Sequence, residues 1–341
     1  MEGKTTAEEI LLISSAPHIK SKDTTQKIMF GVVISLIPAL IGSIYFFGIR
    51  ALWLTVLSII TAVFTEWLIQ KLRKVEITIS DGSAIVTGIL LAFNLPAGVP
   101  WWIPVIGSFF SIAIAKQTFG GLGFNPMNPA LLGRAFLLAS WPVHMTTDWT
   151  APLYGTKSGI TTITTATPLA VLKDALKNLS IEDKAVEASQ TIITLKSSYA
   201  NLFWGRVGGC IGETSVILLL IGAGYLLYKR YINLRIPLSY IATVALFTWI
   251  FGGPKGYFTG DPLFHVLAGG LILGAFFMAT DMITTPCTPK GQWIFGFGCG
   301  VFTSIIRLVG GYPEGVSYSI LLMNLMTPLL DRHLKNKPFG G

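Results

Sequence analysis

The chain has 341 residues, of which 52% are hydrophobic and only 12% are charged, and its mean hydropathy is +0.63. A soluble domain carries about twice that share of charged residues, so the composition indicates a polytopic membrane protein and excludes a water-soluble enzyme. The net charge of +8 comes from Lys and Arg residues between apolar runs. That pattern is typical of membrane orientation signals, so we expect the chain to contact the lipid bilayer and no nucleic acid.

Apolar segments of membrane-spanning length recur along the chain. Residues 1–27 form a polar arm, and five apolar spans follow within residues 28–141. A long polar loop occupies residues 142–206, and residues 331–341 form a polar tail. A second set of five spans occupies residues 207–330, with its first span at about Val207–Tyr228 and its third at about Leu263–Ile283. The pattern predicts an all-α membrane protein with about ten transmembrane helices.

The two sets of spans repeat at a shift of 190 residues, which places Pro96 on Pro286 and Gly120-Gly121 on Gly310-Gly311. Because each half has an odd number of spans, the second half should be inverted in the membrane. With the N-terminus inside, the inner segments hold fifteen Lys and Arg residues and the short outer segments hold three, as the positive-inside rule requires. Both termini are therefore predicted to be cytoplasmic, and residues 142–206 to lie on the outer side.

Within this loop, a Thr-Pro pair precedes leucines at helical spacing. Pro168 disfavours α geometry at Thr167 and suits the first turn of a helix. We therefore predict that Thr167 caps the helix, with its hydroxyl at the positive end. Such a position favours a phosphate group. The simpler alternative is that the pair only begins a helix.

Four charged residues lie within the predicted spans, namely Glu66, Arg134, Glu213 and Asp281. Because a charge inside the bilayer is costly, each is a functional candidate by default. The three acids are candidates for an ion pathway. The alternative for each of the four is a position near the membrane interface or a buried ion pair, for example of Arg134 with an acid from another span.

A break rich in Gly, Asn and Pro, residues 120–129, precedes Arg134. Transporters use discontinuous helices whose ends point at an anion, and arginine offers a planar fork that is always charged. We therefore predict that Arg134, Asn125 and Asn128 line a cofactor-binding cavity. An ordinary tight loop is the alternative reading of the break.

The sequence contains no recognisable catalytic triad, P-loop, dinucleotide fingerprint or zinc spacing. Its three cysteines are far apart and lack CxxC spacing, so we expect no metal site. We also expect no catalytic residue in the chain itself, because any redox chemistry would be carried by a bound cofactor.

Several motifs together resemble those of the D subunit of the Rnf electron-transport complex, and of its relative, the B subunit of the sodium-translocating NADH:quinone reductase. They are residues 95–102, 120–126, 128–136, 279–286 and 321–324. In that family, a threonine in a Ser/Thr-Gly-Ala-Thr motif carries FMN through a phosphoester bond that a flavin transferase makes. The matching residues here are Thr164-Thr165-Ala166-Thr167, which makes Thr167 the acceptor. Thr165 replaces the usual glycine, and Thr161 stands where an acidic residue is common.

The resemblance implies a subunit of an ion-translocating ferredoxin:NAD⁺ oxidoreductase that moves Na⁺ or H⁺ and is not catalytic alone. It further implies the cytoplasmic (inner) membrane of a bacterium or archaeon, the other Rnf subunits as partners, and among them a flavin-bearing subunit on the outer face. A second, non-covalent flavin such as riboflavin and a fold like that of urea transporters are also expected. The alternatives are a channel or transporter for a small polar solute without a redox role, and a purely structural membrane subunit.

Overall fold

The computed structural model describes most of the chain and shows it to be mainly helical. The described residues are 23–152, 166–178, 184–197, 199–213, 215–253, 256–312 and 314–335. The predicted N-terminal arm and C-terminal tail lie largely outside these ranges. The described residues form fifteen α-helices, some of which are only one turn long.

In chain order, the helices are α1 (Thr25–Phe47), α2 (Ile49–Leu72), α3 (Ser83–Phe93), α4 (Trp102–Ile112), α5 (Pro129–Ser140), α6 (Pro142–Thr146), α7 (Pro168–Asn178), α8 (Ala185–Ser197), α9 (Tyr199–Trp204), α10 (Val216–Tyr228), α11 (Arg235–Phe251), α12 (Pro262–Leu267), α13 (Leu271–Leu273), α14 (Pro289–Leu308) and α15 (Val316–His333). Two of them continue as π-helical turns, α4 through Ala113–Gln117 and α13 through Gly274–Met278.

Among the described residues, α1 and α2 are long and apolar enough to cross a membrane. Their outer faces carry exposed apolar side chains such as those of Ile41, Trp53 and Ile60, as expected of helices that face lipid. Several other apolar helices, including α3 and α5, have only 10–17 residues. The number of helices that span the membrane therefore stays a prediction.

The predicted break before Arg134 separates α4 from α5. Asn128 ends the break as a helix cap, because its Oδ1 accepts hydrogen bonds from the amides of Ala130 (3.1 Å) and Leu131 (3.3 Å). Pro129 occupies the first helical position, where its missing N–H costs nothing. The break is therefore built from local capping signals that the sequence displays.

Two of the predicted spans are interrupted. The span predicted from Val207 becomes helical only at Val216, because the preceding segment is extended and pairs with the end of α3. In that pairing, the amide of Ile211 donates to the carbonyl of Leu95 over 2.9 Å. The span predicted from Leu263 is broken between α12 and α13. Both continuous spans were wrong predictions, and Glu213 therefore lies in a loop before α10.

The extended segment packs so closely that one of its glycines has no space for a side chain. A Cβ atom on Gly212 would lie 2.2 Å from the Phe93 ring. We expect Gly212→Ala to destabilise the protein by about 1–3 kcal/mol through overpacking, measured as a fall in the thermal unfolding midpoint in detergent. Gly224→Ala is the matched control, because a Cβ atom there meets nothing within 4 Å. An unchanged midpoint for Gly212→Ala would contradict the close packing.

The same pairs of helices pack against each other in both halves of the chain. Helix α2 packs against α4, and α4 against α5; in the second half, α11 packs against α14, and α14 against α15. Helices α1 and α10 pack together across the two halves. This recurrence agrees with the shift of 190 residues, while the inverted orientation and the likeness to urea transporters stay predictions.

Candidate functional site

Thr167 caps α7, as predicted. Its Oγ1 accepts a hydrogen bond from the amide of Ala170 over 3.3 Å, and its carbonyl accepts one from Val171 over 3.0 Å. The residue is only 5% exposed. The hydroxyl therefore stands at the positive end of a helix, where a phosphate group is stabilised. The other motif threonines, Thr161, Thr164 and Thr165, lie outside the described residues.

Helix α7 is fixed to other parts of the described structure at two points. Leu169 is buried in a small apolar cluster with Leu202, Phe264 and Ala268. One turn further along, the ammonium group of Lys173 donates to the backbone carbonyls of Gly310 and Tyr312. These contacts hold the Thr167 hydroxyl against the loop between α14 and α15.

Arg134 is buried at the centre of a polar cluster. Its Nη1 donates to Asn94 Oδ1 and to Ser317 Oγ, each over 2.9 Å, and its Nη2 forms an ion pair with Glu314. The sequence analysis gave a buried ion pair with an acid from another span as the alternative for Arg134, and Glu314 is its partner in such a pair. Among the described residues, Nε of Arg134 is buried and has no hydrogen-bond partner, so one donor of the guanidinium is unpaired.

Thr167 and Arg134 line the same cavity, which we name the Thr167 cavity. It encloses about 560 Å³ of empty space, part of it open to solvent. Eight of its residues offer polar or aromatic side chains: Arg134, Thr146, Trp149, Thr167, Tyr312, Glu314, Ser317 and Tyr318. The rings of Tyr312 and Tyr318 are stacked with centroids 5.8 Å apart. The cavity thus combines an acceptor hydroxyl, a cation and aromatic faces.

The predicted residues Asn125 and Asn128 line a different cavity, together with Ser83, Lys116 and Asp281. We name it the Asp281 cavity; it encloses about 800 Å³ of empty space, part of it open to solvent. Here the carboxylate of Asp281 accepts from the amide of Ile283 over 3.4 Å. The structure therefore separates the predicted asparagines from Arg134 and Thr167.

A buried polar layer lies between the two cavities. Asn94 binds Arg134 on one side, and its Nδ2 lies 3.5 Å from the Met278 sulfur on the other. The carbonyl of Met278 in turn accepts from Asn128 over 3.4 Å. Residues at the first turn of α5 face the Asp281 cavity, and Arg134 faces the Thr167 cavity.

Glu66, the first candidate for an ion pathway, is part of a closed ion pair. Lys116 Nζ lies 2.7 Å and 2.9 Å from its two carboxylate oxygens, and Gln117 Nε2 donates to it over 2.9 Å. Both charged side chains are only 1% exposed. Every oxygen of Glu66 is therefore satisfied, which is the alternative that the sequence left open for this residue.

Three important partners were not identified from the sequence: Glu314, Lys116 and Asn324. Lys116 was counted with the basic residues of an inner loop, although it is buried at the end of α4. Asn324 offered a signal, because the shift of 190 residues places it on Arg134. The side-chain amide of Asn324 can be oriented so that both its oxygen and its nitrogen form hydrogen bonds. In that orientation, its oxygen accepts from the backbone amide of Asn128 over 3.1 Å. Glu314 had no such signal, because Phe124 occupies the shifted position.

Comparison with known proteins identifies the family. Residues 12–340 match the model of the NQR2, RnfD, RnfE family. The chain belongs to this family. Together with the relatives described next, this match confirms the resemblance to the D subunit of the Rnf complex.

Curated relatives match over nearly their whole length. The chain is 51% identical to the D subunit of the proton-translocating ferredoxin:NAD(+) oxidoreductase complex of Clostridium ljungdahlii, over 98% of this chain and 97% of that one. It is 52% identical to the D subunit of the Na(+)-translocating ferredoxin:NAD(+) oxidoreductase complex of Acetobacterium woodii, over 97% and 95%. It is 35% identical to the D subunit of the ion-translocating oxidoreductase complex of Yersinia pseudotuberculosis, over 96% and 98%.

Proposed function

We propose that this chain is the flavin-carrying membrane subunit of an ion-translocating ferredoxin:NAD⁺ oxidoreductase, and that it relays electrons through FMN esterified to Thr167. The observation that carries the proposal is the capped hydroxyl of Thr167, which shares one cavity with Arg134. The class of complex comes from the relatives named above, which are 51% and 52% identical to the chain.

The residues of the Thr167 cavity fit FMN. The hydroxyl and the start of α7 suit a phosphoester, because both favour negative charge at that point. The free Nε donor of Arg134 suits a flavin carbonyl, and the rings of Trp149, Tyr312 and Tyr318 offer faces for the flavin ring. When bound, FMN would supply the exchange of one or two electrons with a flavin of a partner subunit.

The protein's own contribution is to orient these groups. Arg134 is held by Asn94, Ser317 and Glu314, so its remaining donor points in a fixed direction. Thr167 is held by the anchors of α7 at Leu169 and Lys173. A preorganised cation costs little reorganisation when negative charge arrives in the cavity.

The finer features of the topology also belong to the proposal. The chain has two inverted five-helix repeats of the urea-transporter type in the cytoplasmic (inner) membrane, with both termini inside and residues 142–206 outside. A flavin transferase modifies Thr167, and a flavin-bearing partner meets the outer face. A second, non-covalent flavin such as riboflavin is also part of the proposal. The names of the relatives do not favour the alternative of a solute channel.

The proposal is tested by producing the chain with and without a flavin transferase. We expect the denatured protein band to fluoresce only with the transferase, and the peptide that contains Thr167 to gain the mass of FMN less water. A band without fluorescence, from cells in which the transferase modifies a control substrate, would reject the flavin assignment. The solute-channel and structural alternatives would then be preferred.

A further inference from the structure

Two carboxylates lie together beside the Thr167 cavity. Glu213 is 5% exposed and Glu314 is 8% exposed. One carboxylate oxygen of each residue and the sulfur of Cys210 all lie within 4.8 Å of one another. Both residues and Thr167 also line a small adjoining cavity, with about 330 Å³ of empty space that is partly open to solvent. The pair is therefore buried and close to the proposed flavin acceptor.

Each carboxylate of the pair has only one satisfied oxygen. Glu213 Oε1 accepts from the Cys210 amide over 3.0 Å, and Glu314 Oε2 is bound by Arg134. Among the described residues, Glu213 Oε2 and Glu314 Oε1 are buried without a hydrogen-bond partner. A buried charged oxygen without a donor is strongly unfavourable. Two ionised carboxylates would leave two such oxygens without a donor.

Glu66 shows how this chain stabilises a buried carboxylate that is ionised. Its oxygens receive four hydrogen bonds, two from Lys116, one from Gln117 and one from Gln70. No such set of donors surrounds the pair within the described part of the chain. The two sites therefore differ in hydrogen bonding, although all three acids are buried.

The charged and titratable neighbours of the pair do not remove this deficit. Arg307 donates to the backbone carbonyls of Glu314 (3.0 Å), His265 (2.5 Å) and Ala268 (3.3 Å), so it contributes positive charge and no hydrogen bond to either carboxylate. The Cys210 thiol donates to the carbonyl of Asn94 over 3.3 Å. The His265 ring is buried, and its Nδ1 has no partner among the described residues. Arg134 already binds Glu314. A divalent metal ion bound to Glu314 would therefore lie against the positively charged guanidinium of Arg134 and be repelled by it.

We propose that Glu213 and Glu314 hold one proton between them at neutral pH, directly or through one water in the small cavity, and donate it to the Thr167 cavity. A single proton supplies the missing donor and reduces the repulsion between two like charges. The donation step rests on the proposed flavin at Thr167. When an electron arrives from a reduced flavin partner, the proton moves from the pair to the electron's site in the Thr167 cavity and offsets the new negative charge there. When the electron leaves, the proton returns to the pair.

The first experiment needs no flavin. Infrared difference spectra of the purified full-length Thr167→Ala protein in H₂O and D₂O should show, at neutral pH, the carbonyl stretch of a protonated carboxylic acid. We expect this band to be lost in Glu213→Gln, kept at a shifted position in Glu213→Asp, and unchanged in Glu66→Gln. Glu213 is the residue to replace because it does not form the ion pair with Arg134, so the variant leaves that pair intact.

Three outcomes would overturn the proposal: the absence of the band, its persistence in Glu213→Gln, or its disappearance when Na⁺ replaces K⁺, which would identify a metal cation as the occupant. A second experiment follows the band in the flavinylated protein. We expect reduction by dithionite to diminish it and reoxidation to restore it. If Thr167 carries no flavin, only this second experiment is affected, so the two proposals fail separately.

Discussion

Replacing Thr167 with alanine is expected to remove all covalent flavin from the protein. The substitution deletes the only hydroxyl among the described residues that both caps α7 and opens into the cavity of Arg134. In-gel fluorescence of chains produced together with a flavin transferase measures the loss. In the assembled complex, ferredoxin-dependent reduction of NAD⁺ should fall to background, because the relay then lacks its carrier.

The controls for Thr167→Ala separate chemistry from folding. Thr167→Ser keeps both the hydroxyl and the cap, so it should retain the flavin. Loss of the cap costs about 1 kcal/mol, which is small against a typical stability of about 5–15 kcal/mol; the alanine variant should therefore still be inserted and folded. Thr164→Ala and Thr165→Ala should keep a modified residue at Thr167. Fluorescence that persists in Thr167→Ala would move the acceptor elsewhere in the motif.

The second large effect is expected at Arg134. Arg134→Met leaves the Glu314 carboxylate buried without its cation, and it also removes a donor from Asn94 and Ser317. Breaking a buried ion pair from one side costs about 3–5 kcal/mol. We expect a large fall in the unfolding midpoint of the detergent-solubilised protein, measured by tryptophan fluorescence on heating.

A double variant tests whether the ion pair itself is the cause. In Arg134→Met combined with Glu314→Leu, both partners of the ion pair are replaced by apolar side chains, and apolar replacements of buried pairs are often close to neutral. Most of the lost stability should therefore return, although the flavin environment would not. If Arg134→Met alone unfolds at the temperature of the native chain, the ion pair does not contribute to stability as we argue.

The features that could be predicted from the sequence depend on local signals. The cap at Thr167 follows from a single Thr-Pro pair and the leucines after it. The break before α5 follows from Gly, Asn and Pro within residues 120–129. In both cases the residues that determine the structure are neighbours in the chain, so a propensity argument is sufficient.

The features that could not be predicted depend on residues far apart in the chain. Arg134 and Glu314 are separated by 180 positions, and nothing near either residue specifies the other. The apolar composition after Val207 is compatible with a helix, yet the segment is extended because it pairs with Leu95 at the end of α3. Only the repeat carries long-range information, which is why Asn324 could have been found and Glu314 could not.

The thin layer between the two cavities has an electrical consequence. Ala130 lines the Asp281 cavity and Arg134 lines the Thr167 cavity, and these positions are separated by about 6 Å of rise along α5. In the proposed topology the cavities approach each other from opposite sides of a hydrocarbon layer about 30 Å thick. If both fill with water, most of the membrane voltage falls across that short layer. An elementary charge that crosses it then exchanges up to about 2.3 kcal/mol with a potential of 100 mV.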